Sequence, residues 1–130
     1  MGRSSLLIRS IWAACLLIAA ANHALILIRH GPLWTYGGVA WPSAAYWSSL
    51  TILDPLVAVL LFVRPRLGVL SAIVLIVSNV IHNLAITAYY APPGDFFSRA
   101  ASSPMILIQM VFMLFVLLTA PIAIRQTPQA

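Results

Sequence analysis

Residues 56–70 read Leu56-Val57-Ala58-Val59-Leu60-Leu61-Phe62-Val63-Arg64-Pro65-Arg66-Leu67-Gly68-Val69-Leu70, two apolar runs broken only by Arg64-Pro65-Arg66. The first run reaches back to Ala44 and the second forward to Tyr89. Each arm is therefore close to the ~20 residues that cross a ~30 Å hydrocarbon layer. Arg-Pro-Arg leaves room only for a tight turn, so the arms form an antiparallel hairpin of spans. Away from water an α-helix satisfies its own backbone within the segment, which makes each arm helical. Working outward, residues 6–28 and 105–124 read as two further spans. The expected fold class is all-α: an integral membrane four-helix bundle, a single domain over residues 1–130, with helices at 6–28, 44–63, 67–89 and 105–124.

Composition agrees. The chain is 62% hydrophobic and 7% charged, whereas a soluble domain carries about a quarter charged residues. A net charge of +5 rests on seven basic and two acidic residues. No basic stripe with interleaved aromatics tracks a phosphate backbone, so nucleic acid is not an expected partner. Cys15, the lone cysteine, excludes an intrachain disulfide, a CxxC pair and a cysteine metal cage. Arg3 and Arg9 followed by residues 11–21 have the shape of a signal peptide. The apolar run continues through residue 28, however, which favours a retained span.

Arg3, Arg9, Arg64, Arg66 and Arg125 fall on one side of the spans, and Arg29 and Arg99 on the other. The positive-inside rule then gives an N-in/C-in orientation. With arginine as the sole basic residue type, as in GC-rich genomes, the expected location is a bacterial cytoplasmic membrane. Tyr46, Trp47, Tyr89 and Tyr90 suit an aromatic belt at the interface. Trp34, Tyr36 and Trp41 lie in the long first loop and suit a partly buried lid over the bundle mouth.

Asp54 is the one carboxylate inside a span. An ionisable group at membrane depth costs roughly 2.5–3.5 kcal/mol even on the lenient insertion scale, so it marks a site. Counted from the outer ends at 1.5 Å per residue, Asn22 and His23 lie roughly 8–9 Å down the first span and Asp54 roughly 12–15 Å down the second. His82 and Asn83 lie roughly 9–11 Å down the third, with Asn79 a turn deeper, and Gln109 roughly 6–8 Å down the fourth. All four spans thus contribute polar groups to one slab, while the cytoplasmic half holds almost none. Asn79, His82 and Asn83 share a helix stripe at i, i+3 and i+4. Ser48, Thr51, Asp54 and Pro55 form another, and Pro55 deprives the Thr51 carbonyl of its helical partner.

Asp54 opposite His82 or His23 would share a proton and serve acid–base chemistry on an apolar substrate. The remaining lining residues, Asn22, Thr51, Asn79, Asn83 and Gln109, with Trp34, Tyr36 and Trp41 above, would hold the ligand. A metal is not expected. His23, His82 and Asp54 have the composition of a three-ligand site, but nothing like HExxH supports it. No cofactor is expected either, and bis-His haem ligation by His23 and His82 stands as an alternative.

Asn22-His23 in the first span, Asp54-Pro55 in the second and His82-Asn83 in the third, with the aromatic first loop, resemble the EXPERA-type bundle of sterol isomerases and sigma-2 receptors. The resemblance is one of architecture across the four spans. It implies a polar intramembrane cavity, a lipid- or isoprenoid-like ligand and isomerase chemistry. The family usually places more than one acid in the cavity; this chain offers Asp54 alone. The expected function is accordingly binding of an apolar lipid- or isoprenoid-like ligand, with isomerase-type proton transfer by Asp54, His82 and His23. The alternatives are a proton-coupled small-molecule exporter, the haem protein, and an accessory subunit of a membrane complex. The expected partners are membrane lipids, a lipid-like small molecule, and a second copy or a larger complex.

Overall fold

The structure, a computed structural model, describes residues 2–125; Met1 and residues 126–130 of the expected single unit lie outside the described residues. The order is α1 (Arg3–His30), α2 (Trp41–Val63), α3 (Pro65–Tyr90), α4 (Phe96–Ser102) and α5 (Pro104–Arg125). Of these, α1, α2, α3 and α5 are long and apolar enough to cross a membrane. Neighbours pack in a ring, α1 on α2, α2 on α3, α3 on α5 and α5 back on α1, the up-down-up-down arrangement that short connections favour. One end of the bundle carries the start of α1, the last turn of α5 and the turn at Arg64. The other carries residues 31–40 and 91–103. We call these the turn end and the loop end.

The hairpin turn is tighter than three residues. Arg64 alone joins α2 to α3, because Pro65 is already the first residue of α3, a place where its missing N–H costs nothing. One turn on, Gly68 is buried against the backbone of Leu60 and Leu61, letting the two helix axes approach closely. The helices outrun the apolar runs that announced them. α1 begins at Arg3, and α2 begins at Trp41 with Pro42 in its first turn. Residues 91–103, between the third and fourth expected spans, contain the seven-residue α4.

The core is apolar at the turn end, where Trp12, Leu61, Val69 and Val116 are fully buried. Leu7, Ile18, Ile52, Val74, Ile108 and Leu118 are exposed, as side chains that face acyl chains must be. In lipid such a surface adds no hydrophobic drive to helix association, so packing and hydrogen bonds hold the ring together.

Two of those bonds run from the first turns of α1 to the ends of other helices. Ser5 Oγ donates to the Ala123 carbonyl in the last turn of α5, at 3.0 Å. Arg9 Nη1 donates to the Leu61 carbonyl at 2.9 Å. Leu61 would ordinarily be bonded by residue 65, which is proline, so its carbonyl is an orphan. A guanidinium there also complements the negative end of α2. Arg9 is 0% exposed, so this span-flanking charge is built into the bundle rather than solvated. Trp12 adds a third tie, its indole N–H donating to Thr119 Oγ1 at 3.1 Å. The turn-end half is thus not free of polar groups.

Candidate functional site

Three contacts set the register of α2 on α3 at the loop end. Trp47 Nε1 donates to Asn83 Oδ1 at 2.7 Å, the Tyr46 and Ser78 hydroxyls are 3.4 Å apart, and the Tyr46 ring lies 4.5 Å from that of His82. Asn83 is the hub. Its amide nitrogen donates to Gln109 Oε1 at 2.6 Å and to Asn79 Oδ1 at 3.3 Å. Both amide protons and the oxygen are thereby committed. Asn79, Asn83 and Gln109, expected to contact ligand, form with Trp47 a closed clamp joining α2, α3 and α5. Asn83→Leu should lower stability by about 2 kcal/mol, since it removes three bonds of roughly 0.6 kcal/mol or more each and strands the Trp47 N–H. Unfolding in a graded detergent titration measures this, with Asn83→Gln losing less.

The same register places Asp54 deeper than the imidazoles. Tyr46 and Trp47 lie at the level of His82, and Asp54 follows them by seven or eight residues, roughly 11 Å along the helix. The two lie farther apart in depth than counting from span ends implies, because α2 starts at Trp41, before Ala44. Asp54 is 4% exposed, and its carboxyl has no hydrogen bond or ion pair among the described residues. The expected direct pairing with His82 or His23 is therefore not formed. Three further buried atoms in this half lack partners: His23 Nδ1, Thr51 Oγ1 and His82 Nε2. Pro55, inside α2, adds the unbonded Thr51 carbonyl to this group. Native interiors rarely leave such groups unpaired. Here Thr51 lies on Asp54's own stripe, and His23 and His82 lie on the helices packed against α2.

Above them runs a ladder of rings. His30 stacks on Trp34 at 3.9 Å, Trp34 meets Tyr36 at 4.8 Å, Tyr36 meets Trp47 at 5.1 Å, and Trp47 meets His82 edge-on at 5.6 Å. The Tyr36 and Ser48 hydroxyls are 3.2 Å apart. Tyr36 adopts φ 53°, a left-handed conformation costing a non-glycine residue roughly 1–2 kcal/mol, so its ring contacts and hydroxyl hold the chain reversal at 34–38 in place. Trp34 and Tyr36 are half-buried as a lid requires. Trp41, expected beside them, is 73% exposed and turned away. Asn22 is likewise exposed, one residue round the helix from His23. Tyr46 and Trp47, read as interface belt, point into the bundle instead. Tyr89 remains at the surface, 80% exposed.

Sequence reasoning missed Trp47 and Tyr46 as site residues and Arg9 as a buried one. The signal for Arg9 was present, since Ser5, Arg9, Trp12, Leu16 and Ala20 recur at helical spacing and are all buried. Two cavities stand out, and Asp54 and the histidines line neither. One, of about 410 Å³, is an apolar groove between α1 and α5 beside Cys15 and Phe112. The other, of about 510 Å³, lies at the loop end. Among the described residues no three His, Cys, Asp or Glu side chains gather as metal ligands. No protein-family model, no curated protein and no solved structure matches this chain.

Proposed function

We propose that this membrane protein binds a lipid- or isoprenoid-like amphiphile, taking its polar head among α1, α2 and α3 beneath the aromatic lid. One observation carries the reading. Thr51, His23 and His82 present buried polar atoms without protein partners, and Asp54, a residue only 4% exposed, has no hydrogen bond or ion pair among the described residues. Each such group costs about 1–3 kcal/mol while unmet, and a bound head with hydroxyl or amine protons would meet several together. Carboxyl and imidazole acceptors suit a donor head, with Asp54 as counter-ion when that head is an ammonium. Direct proton transfer between Asp54 and His82 is not part of the proposal, because two helical turns separate their levels. Arginine bias supports the N-in/C-in orientation in a bacterial cytoplasmic membrane, with the lid facing outward. Asn22, an exposed amide in mid-span, supports association with a second copy that would offer the same amide at the same depth.

Lipid extraction and mass spectrometry of the purified protein tests the reading. An apolar molecule with a donor head, recovered near one per chain and depleted in Asp54→Asn, is the expected result. No bound amphiphile, together with melting insensitive to added lipid alcohols or amines, would sink it. In ligand-free protein Asp54→Asn should raise stability by about 1–3 kcal/mol, since a buried carboxyl without a partner is dearer than an amide of the same shape. Comparative melting after delipidation measures that change.

A further inference from the structure

The loop-end cavity of about 510 Å³ lies between residues 37–39, the last turns of α3, α4 and the start of α5. Its wall carries one charge, Arg99. Asp95 stands one turn earlier, yet no ion pair joins the two, and the guanidinium has no hydrogen-bond partner among the described residues.

The hydroxyls on the wall divide in an informative way. Thr87 and Ser102 donate their protons to the carbonyls of Asn83 and Arg99, at 2.8 and 3.3 Å. Tyr90 and Ser103 are acceptors in their own bonds, from the Ala40 N–H at 3.2 Å and the Ile106 N–H at 3.4 Å. Their hydroxyl protons remain unspent. The wall therefore offers a guanidinium and two hydroxyl donors with no fixed acceptor and no carboxylate. A cation would meet only repulsion there. Val39, Ile86 and Ile106 make the remaining wall apolar, and α3 ends at this level.

We infer that this cavity binds a phosphate group at Arg99, with Tyr90 and Ser103 donating to its other oxygens. Arginine's planar fork meets two phosphate oxygens at once, and the hydroxyls meet the rest. The phosphate arrives either as a lipid headgroup, its glycerol against the apolar wall, or as the free anion. The site does not depend on the Asp54 reading.

The test uses the full chain purified in a neutral maltoside detergent. Melting is followed against short-chain phosphatidylglycerol and, separately, inorganic phosphate, with a lipid-free chloride titration as reference. A saturable rise in melting temperature beyond the chloride reference, with affinity weakened about tenfold or more in Arg99→Gln, is the expected result. A rise with the lipid alone assigns the headgroup, and a rise with both assigns the phosphate itself; either supports the site. No saturable rise with either probe, or equal affinity in Arg99→Gln, overturns it. Arg99 is exposed and its side chain holds nothing, so ligand-free Arg99→Gln should melt with the wild type. Ser103→Ala gives a second reading, with a smaller loss of affinity. Asp54→Asn should bind both probes as the wild type does, which separates failure here from failure of the amphiphile reading.

Discussion

Gly68→Val is expected to be the most damaging substitution within the spans. A Cβ on residue 68 would stand 2.5 Å from the carbonyl carbon of Leu60 and 2.6 Å from its oxygen, and nearer still to the Leu61 nitrogen. These are backbone atoms of a regular helix, so no side-chain rotation relieves the clash. Overpacking costs about 1–3 kcal/mol where side chains can yield. With α2 forced away from α3, the loss should reach or exceed the upper end of that range. The separation would also pull the Leu61 carbonyl from Arg9. Because the obstacle is the Cβ itself, Gly68→Ala should lose most of what Gly68→Val loses. Helical ellipticity followed through a graded detergent titration reads both. An alanine variant that unfolds with the wild type would show that the helices do not approach as closely as described.

Arg9→Ala is expected to follow, at about 3 kcal/mol. Two effects oppose each other. Removing the guanidinium relieves a buried charge whose Nη2 has no partner, a return of roughly 1–3 kcal/mol. Against this, a charged hydrogen bond of about 1.5–3 kcal/mol is lost, the Leu61 carbonyl is stranded, and a void opens where the buried side chain lay between α1 and α2. Since Pro65 has no N–H to offer, nothing within the hairpin replaces the lost donor. The losses outweigh the gain. Arg9→Lys keeps charge and length without the planar fork and should fall between alanine and the wild type. The same titration, with both variants alongside, checks the ranking. Equal stability of all three would reduce the guanidinium to a spectator.

The four spans were legible because a bilayer demands long apolar runs, and residues 44–89 meet that demand on either side of one proline turn. The position of a residue within a span was less legible. Asp54 was measured from Ala44, where apolarity begins, but the helix begins at Trp41, and depth is set by what pairs across the interface. The Trp47–Asn83 bond supplies that register, and no single-chain count contains it. Charge misled at Arg9, since hydropathy treats an arginine near a span end as a loop marker, whereas helical phase puts it beside Ser5 and Trp12. Trp34, Tyr36 and their neighbours had the composition of either a belt or a lid. Only the ring contacts, with Trp34 and Tyr36 inward and Trp41 outward, tell the two apart.

The polar ties of α1 bear on the order in which the chain is made. Ser5 and Trp12 leave the ribosome well before their acceptors, the Ala123 carbonyl and the Thr119 hydroxyl, which are synthesised more than a hundred positions later. Arg9 waits for Leu61, midway. Until α5 is inserted, the first helix carries an open hydroxyl and indole within the membrane, so nascent chains halted before residue 119 should stay accessible to insertase and quality-control proteases. Closure of the ring therefore waits for α5.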